Sequence, residues 1–362
     1  MSCNKKIGVL GTKALVIVMG VGSMVSTSVW ALDMSVYGVG HVSADSIDNG
    51  TSSSGYFHSN SSRLGFKGSH DLGTGLETFF QYESGVDLTG SGTGDGNGGA
   101  TSNGQIFTRT RDSFVGLKGN FGTVLLGRLP AANQWLYDYN LFGDQVGDLG
   151  NIWGANLPGR VDHAAHYRTP DFGGFSASLS YVPNQGTSNT NASIVKADYG
   201  NSSFKVSGAY ASIGQGTGLS NQKASAITAS YTAGIFSIGA GAQHETDIGG
   251  VSGANRNETT LGASVKAGGS GTVKLQFARA GDLDGTPDSG TTQWALGYDH
   301  AWDKQTTFYV AYAKTRNDAG ATYSAYDWGH GDQGVPAIVA GKSPTAISLG
   351  VVYKFDVGLW PR

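Results

Sequence analysis

The chain has 362 residues, a formal net charge of −3 at pH 7 and a mean hydropathy of −0.19. Only 14% of the residues are charged and 58 are glycine, whereas ordinary soluble domains contain about 25% charged residues and about 7% glycine. After the extreme N-terminus no uninterrupted apolar run reaches the ~20 residues that a membrane helix needs, which excludes a polytopic helical membrane protein. Glycine disfavours helices, while the 16 tyrosines and 15 phenylalanines favour strands, so the composition predicts an all-β fold.

The first 31 residues have the pattern of a secretory signal peptide. Three lysines form a basic start, residues 14–24 form a short apolar core, and Val29 and Ala31 occupy the two positions that determine cleavage. Cleavage after Ala31 would leave 331 residues and would remove the single cysteine, Cys3. It would also take the net charge from −3 to −6, because three lysines and no acidic residue leave. A mildly acidic exported chain without a long basic run argues against nucleic acid as a partner.

The rest of the chain is organised as a series of strands. Successive side chains of a strand point to opposite faces, so one apolar face appears as every second residue being apolar. Near the C-terminus, for example, Ile347, Leu349 and Val351 alternate with Ser348 and Gly350. In chain order the pattern predicts sixteen strands, at residues 34–45, 55–70, 74–88, 105–119, 121–129, 160–171, 172–184, 191–201, 202–213, 222–233, 234–246, 256–269, 270–281, 290–302, 304–317 and 345–355.

The connections between these strands alternate between short and long ones. Residues 70–73 and 268–271 are tight turns, whereas residues 90–104 and 316–343 are long and rich in Ser, Thr, Asn and Gly. The face opposite the apolar one carries Lys, Glu, Gln and Arg on strand after strand, so it needs water and does not fit the close-packed core of a soluble sandwich. In a closed transmembrane barrel the apolar face meets lipid, the polar face lines a lumen, and no backbone edge stays unpaired.

Chain length sets the size of the barrel. Sixteen strands of about eleven residues use about 176 residues, which leaves room for seven tight turns and eight loops. We therefore predict an all-β, 16-stranded antiparallel transmembrane β-barrel at residues 32–355, wide enough to hold water, with a short C-terminal extension at residues 356–362. Aromatic residues beside the short turns, such as Phe172 and Trp302, are typical of the girdles at a membrane interface.

One long connection, residues 129–159, differs from the others in composition. It contains Trp135, Phe142 and Trp153 together with further aromatic residues. A loop exposed to solvent does not need so many aromatic side chains, so we predict that this third long loop, loop 3, folds into the barrel and narrows the pore. The acidic residues predicted at the constriction are Asp138, Asp144 and Asp148.

Basic residues are predicted on the lumen face of the flanking strands. Leu64 faces lipid in the predicted alternation, which places Arg63 inside, and an outward Val161 places Arg160 and Asp162 inside. Opposite a carboxylate-bearing loop, such residues create a transverse field that favours small hydrated polar solutes. The basic residues predicted at the constriction are Arg63, Arg109, Arg111 and Arg160.

The inner and outer faces of the fourth predicted strand, residues 105–119, are assigned from one aromatic residue, Phe114. With Phe114 facing lipid, Arg109 and Arg111 share the inner face, and Asp112 and Lys118 fall on the outer face. Charges in contact with lipid are costly, so a protein interface over this part of the barrel is expected to cover them.

Several motifs occur together in a characteristic order, namely SRLGFKG with DLGTGLETFFQYE, then RDSFVGLKGNFGTVLLGR, LYDYNLFGDQVGD, GRVDHAAHYR and SLGVVYKF. In these the sequence resembles the general, trimeric porins of Gram-negative outer membranes, and within them the β-proteobacterial and neisserial type. The resemblance implies a homotrimer of 16-stranded barrels in outer-membrane lipid and lipopolysaccharide, each passing ions and small hydrophilic solutes by passive diffusion. It also implies a basic cluster on the second, fourth and sixth strands, matching Arg63, Arg111 and Arg160, and an acidic pair on loop 3, matching Asp144 and Asp148.

Two positions depart from that family pattern. Enteric members carry a lysine on the first strand just after a Tyr-Gly pair, where this chain has Val39, so a smaller basic cluster is expected. Family members usually end on the Phe that closes the last strand, whereas here Phe355 is followed by residues 356–362.

Other functions stay open at this point. A sugar- or anion-specific porin is kept open by the aromatic residues of loop 3, although most strand aromatics fall on the lipid face and do not form a sugar ladder. An outer-membrane hydrolase needs a nucleophile beside a histidine, and nothing places one beside His41, His58, His300 or His330. No catalytic residue, metal or cofactor is predicted. The net charge of −6 favours cations and the arginines favour anions, so ion preference is undecided.

Overall fold

The computed structural model describes residues 33–89, 107–131, 135, 138–154, 157–331, 335 and 337–359, with the backbone alone at residues 107–109. Leu32–Arg362 forms one compact unit. The predicted signal peptide at residues 1–31 lies outside the described residues. Within the described ranges, no helix combines the length and apolarity needed to cross a membrane.

The described part of the chain is almost entirely β-structure. A short helix, α1 (Gly150–Trp153), lies in loop 3, and a 3₁₀ turn spans Ile248–Gly250. The strand segments are β1 (Asp33–Asp48), β2 (Ser53–Ser59), β3 (Arg63–Gly73), β4 (Leu76–Val86), β5 (Phe107–Thr110), β6 (Ser113–Gly119), β7 (Gly122–Pro130), β8 (Arg160–Arg168), β9 (Phe175–Val182), β10 (Ala192–Gly200), β11 (Phe204–Ile213), β12 (Gln222–Ala233), β13 (Phe236–Thr246), β14 (Arg256–Ala267), β15 (Gly271–Ala280), β16 (Thr291–Ala301), β17 (Thr306–Asn317) and β18 (Thr345–Gly358).

The segments form a closed antiparallel barrel. Consecutive strands along the chain pair with one another, and β1 also pairs with β18, which closes the sheet; the exceptions are β2 with β3 and β5 with β6. Because β1 pairs with both β2 and β3, these two form one interrupted strand, and β5 and β6 form another against β4. The barrel therefore has sixteen strands, and the predicted fold class is confirmed.

The interruption between β5 and β6 reverses the predicted faces of that strand. Phe114 and Lys118 line a lumenal cavity, whereas Val115 lies on the other face and is 62% exposed. The prediction that Asp112, Phe114 and Lys118 face outward is therefore wrong. Arg111 and Asp112 both point to the lumen in the gap between the segments, and this extra inward residue shifts the alternation by one, as a β-bulge does.

A second irregularity moves Asp162 out of the lumen. The register between β7 and β8 shifts just after Gly127, and His163 has a left-handed φ of 55°. Asp162 consequently lies on the outer face, with its side chain 60% exposed, and it accepts a hydrogen bond from Arg128 Nη1 at 2.6 Å. The predicted inward position of Asp162 is wrong for this reason, and so is the predicted outward position of Val161, which packs against the hydrophobic core inside the barrel. Arg160 remains directed inward, as predicted.

The last strand is longer than predicted. β18 runs to Gly358, past the expected end at Phe355, and Asp356 pairs in register with Tyr37 on β1. The Asp356 carboxylate also accepts a hydrogen bond from Lys67 Nζ on β3. Residues 356–358 therefore belong to the barrel, and the predicted domain boundary at residue 355 lies too early.

The interior of the barrel contains a hydrophobic core. Side chains of loop 3 and of the β17–β18 connection pack on alanines of the inner wall, and Trp135, Phe142, Trp153 and Tyr326 are at most 1% exposed. Full burial of such a side chain contributes roughly 1.5–3 kcal/mol. One side of the bore is thus filled by protein, and the open lumen is confined to the other side.

Candidate pore constriction

The structure places loop 3 inside the barrel, where polar side chains of the wall hold its backbone and its first tryptophan. Trp135 Nε1 donates to Gln243 Oε1 on β13 at 2.5 Å. The backbone N–H of Leu141 donates to Gln276 Oε1 on β15 at 2.9 Å, and Gln276 Nε2 donates to the Gly147 carbonyl at 3.1 Å. Loop 3 is therefore fixed to the wall opposite the strand from which it starts.

Glycines of that wall allow the aromatic side chains of loop 3 to approach closely. A Cβ atom added at Gly239 would lie 2.3 Å from the Tyr139 ring, and one at Gly262 would lie 2.8 Å from it. A Cβ at Gly297 would lie 2.8 Å from the Phe142 ring. Any side chain at these positions displaces the aromatic ring, so part of the glycine content serves the docking of loop 3.

Gly239→Val is expected to leave the barrel folded and to detach loop 3. Valine suits a strand, but its side chain occupies the place of the Tyr139 ring. The expected result is a noisier channel of higher conductance, measured in planar bilayers. Gly208→Val on β11 is the matched control, because a Cβ there meets no atom within 4 Å. Equal conductance of both variants and the wild type would contradict the role of Gly239.

The wall beside the open lumen carries the basic residues, and each has a carboxylate partner. Arg111 Nε donates to Glu83 Oε1 at 2.7 Å, with both side chains 8% exposed, and Arg63 Nε lies 4.0 Å from Glu83 Oε2. Arg160 Nε donates to Asp112 Oδ1 at 2.5 Å. The sequence analysis missed both carboxylates as constriction residues. Glu83 could have been found from the alternation on β4, because it follows the apolar Tyr82, whereas the strand break conceals the inward position of Asp112.

A cavity of about 360 Å³ lies between this wall and the inward-folded loops, and we call it the eyelet. Among the described residues, three arginines and three carboxylates surround it, and the formal charges of these six groups cancel. Opposite charges a few ångströms apart create a strong local field, which can orient water and small polar solutes. Its lining residues are Ser61, Arg63, Glu83, Arg111, Asp112, Gly143, Asp144, Gly159, Arg160, Trp328 and Gly329.

Of the acidic residues predicted on loop 3, Asp144 reaches the eyelet. Its Oδ2 lies 3.6 Å from Arg63 Nη1, and its side chain is 29% exposed. Asp144 adopts a left-handed φ of 61°, which turns the loop at this point. It therefore supplies the negative charge opposite the arginine wall.

Asp148, four residues later, has a different place. It is fully buried, and its carboxylate accepts hydrogen bonds from the backbone N–H groups of Asp144 and Gly150 and from Asn140 Nδ2, at 2.7–2.8 Å. Burial, together with the nearby Asp144 carboxylate, raises the pKa of Asp148 to about 7. Asp148 shapes the loop around α1 and does not line the eyelet.

Two predicted site residues remain, of which Asp138 lies away from the eyelet. Asp138 accepts hydrogen bonds from Lys196 Nζ at 2.8 Å and from Thr228 Oγ1 at 2.9 Å, so it ties loop 3 to β10 and β12. Arg109 lies on β5, and its side chain is outside the described residues.

A second loop also folds inward, which the sequence analysis did not predict. We call the β17–β18 connection, residues 318–344, loop 8. Its Tyr326 is 1% exposed, and its Trp328 ring covers Gly150 so closely that a Cβ there would lie 2.0 Å from the ring. The aromatic residues of loop 8 are the same signal that identified loop 3, but the sequence analysis grouped this connection with the long polar and glycine-rich ones.

Comparison with known proteins gives a consistent result. A family model described as Gram-negative porin matches residues 14–321. Outer membrane porin protein 32 of Delftia acidovorans is 31% identical over 92% of this chain and 95% of its own length. Major outer membrane protein P.IB of Neisseria gonorrhoeae is 28% identical over 72% of this chain and 79% of its own length. The solved anion-selective porin from Comamonas acidovorans has a TM-score of 0.73 and 29% identity, covering 90% of this chain and 100% of that one.

Proposed function

This chain belongs to the Gram-negative porins, and we propose that its eyelet passes small hydrated ions and polar solutes passively with weak charge selectivity. The protein is an outer-membrane porin, a water-filled channel. The pairing of opposite charges around the eyelet carries the proposal of weak selectivity. Arg111 with Glu83 and Arg160 with Asp112 form close ion pairs, so a passing ion meets little net charge.

A preference for anions is the second candidate. The side chain of Arg63 is 24% exposed, whereas that of Glu83 is 8% exposed, so the arginine meets the solute first. The Comamonas acidovorans porin, which is 29% identical, is described as anion-selective. A modest anion preference requires that Arg63 outweigh Asp144, whose side chain faces it and is 29% exposed.

Reversal potential and sugar block in a planar bilayer test the proposal. The purified full-length protein is measured under a salt gradient and then titrated with sugars. Weak selectivity predicts a reversal potential near zero and no saturable sugar block. A reversal potential close to the anion limit would favour the second candidate, and saturable block would favour a sugar-specific porin. A protein that inserts without conducting would contradict the passive channel.

We infer that the channel assembles as a homotrimer. The family resemblance implies it, and an ion pair on the outer wall supports it, because Arg128 and Asp162 meet there at 2.6 Å. Charged side chains facing lipid are costly, and a neighbouring barrel would cover them. Analytical ultracentrifugation in a density-matched detergent tests this inference, and a protein mass of one chain would contradict it.

The outer wall carries a site that fits lipopolysaccharide. Exposed Arg279 and Arg316 flank Thr292 in register at the end of the strands that leads to the long connections. Phe277 lies two residues below, 43% exposed, where an acyl chain can cover it. These residues line a cavity of about 340 Å³, together with the carboxylates of Asp282 and Asp318. Arginines above an apolar band match a phosphate group above acyl chains.

Arg279→Gln with Arg316→Gln is expected to reduce the lipopolysaccharide that copurifies with the protein severalfold, because two phosphate-binding charges are lost. The measurement is lipid phosphate per chain after detergent extraction. Lys205→Gln with Lys266→Gln removes the same charge beside the short turns and serves as the control. Equal losses in both double variants would show that only net charge matters.

A further inference from the structure

A buried cluster of Asp45, His58 and His330 lies outside the eyelet, where loop 8 meets β1 and β2. His58 Nδ1 lies 2.7 Å from Asp45 Oδ2, and His330 Nε2 lies 3.3 Å from the same oxygen. All three side chains are at most 2% exposed. One nitrogen or oxygen atom from each lies within 4.8 Å of the other two. Passage of ions through the eyelet uses none of these groups.

The interruption between β2 and β3 builds the place where loop 8 docks. Asn60 accepts a hydrogen bond from the Gly331 N–H at 2.9 Å and donates to Ser43 Oγ at 2.8 Å. Ser61, with a left-handed φ of 47°, donates to the Gly329 carbonyl at 3.0 Å. These contacts hold the segment around His330 on both sides, so the cluster is a specific feature of the closed loop.

The hydrogen bonds of His330 direct its Nε2 lone pair at the Asp45 carboxylate, and a cation between these two groups would remove their repulsion. His330 Nδ1 lies 3.0 Å from the Gly331 carbonyl, which can only accept, so Nδ1 carries the hydrogen. In a neutral ring, Nε2 then directs a lone pair at the Asp45 carboxylate. A buried lone pair facing an anion is unfavourable, and a proton or a metal ion between the two groups removes this repulsion.

The donor set favours a metal ion. Two imidazoles and a carboxylate are the common ligands of Zn²⁺ and related divalent ions. His58 Nε2 is buried with no hydrogen-bond partner, so the ring is not satisfied by the protein alone. Ser43 Oγ lies 2.9 Å from Asp45 Oδ2 and 3.3 Å from His330 Nε2, close enough to complete or support a fourth position.

We propose that Asp45, His58 and His330 bind a divalent first-row transition metal ion, with loop 8 supplying one of the three ligands. The ion joins loop 8 to the wall formed by β1 and β2. Gly329, next to His330, lines the eyelet, and a Cβ there would lie 2.6 Å from Asp144 Oδ1. Metal occupancy therefore stabilises the closed position of loop 8 beside the eyelet.

Equilibrium dialysis of the purified full-length protein against Zn²⁺ tests the site. The expected result is one tightly bound Zn²⁺ per chain, with the affinity lowered by at least about tenfold in His58→Gln and His330→Gln. His244→Gln is the matched control, because this exposed histidine on β13 bonds only to Asn257 among its described contacts. His330→Cys keeps a metal ligand and is expected to retain binding. Co²⁺ in place of Zn²⁺ is expected to show the strong visible absorption of four-coordinate cobalt.

Each other outcome overturns the proposal. Wild-type protein that binds no stoichiometric Zn²⁺, or that binds it equally well after His330→Gln, has no metal site here. If conductance depends on pH through His330 but not on Zn²⁺ or a chelator, a proton occupies the place assigned to the metal. Circular dichroism and channel conductance of each variant separate loss of the site from loss of the fold.

Discussion

Trp328→Ala is expected to widen the eyelet and to raise the single-channel conductance severalfold. The Trp328 ring lies over Gly150 and Gly154 and lines the eyelet, so it is the side chain of loop 8 that covers α1 of loop 3 beside the open lumen. Its loss leaves a space open to the lumen, which fills with water. For a half-buried ring the accompanying loss of stability is about 2 kcal/mol, less than the 3–5 kcal/mol of a fully buried tryptophan.

Trp302→Ala is the control for that measurement. Trp302 lies beside a short turn on the outer wall and is 71% exposed. Its removal changes neither loop, so the conductance is expected to stay at the wild-type value. If Trp328→Ala also conducts as the wild type does, loop 8 does not limit the channel and the narrowing is due to loop 3 alone.

Asp144→Asn is expected to shift the reversal potential toward anions. It removes the loop 3 carboxylate that faces Arg63 and leaves three arginines against Glu83 and Asp112. Two unit charges 4 Å apart in water interact by about 1 kcal/mol, which corresponds to up to about a fivefold change in permeability ratio. The measurement is the reversal potential under a salt gradient.

Two further variants test whether selectivity depends on where a carboxylate lies or only on the net charge of the protein. Asp148→Asn removes the buried carboxylate of the same loop, and Asp162→Asn removes one on the outer wall. We expect little shift from the first and none from the second, whereas Arg63→Gln is expected to shift the potential toward cations. A shift from Asp162→Asn as large as that from Asp144→Asn would show that the eyelet does not determine selectivity.

The barrel was predictable because alternation is a property of each strand on its own. Ile347, Leu349 and Val351 show the lipid face whatever their neighbours are. The prediction failed where a strand is irregular, because one extra inward residue near Arg111 and Asp112 reverses all that follow, including Phe114. Such irregularities depend on contacts with distant residues, here Glu83 and Arg160, which no local pattern contains.

The candidate site was predicted in part for a similar reason. The arginines follow from strand faces, and the aromatic residues of loop 3 indicated that it folds inward. Spacing alone could not distinguish Asp144 from Asp148, because their exposure is set by the left-handed turn at Asp144 and by the hydrogen bonds that enclose Asp148. Loop 8 was missed because its polar composition concealed its buried Tyr326.

The position of the wall residues that bind loop 3 has a consequence for the order in which the barrel folds. Loop 3 precedes β8, yet the glycines and glutamines that receive it lie on strands from β13 onward, including Gly239, Gln243 and Gln276. Those strands must pair before loop 3 has a surface on which to dock, so docking follows the formation of this later part of the sheet. The narrowing of the bore by loop 3 is therefore a late event in folding, because a barrel without these strands has no surface on which the loop can pack.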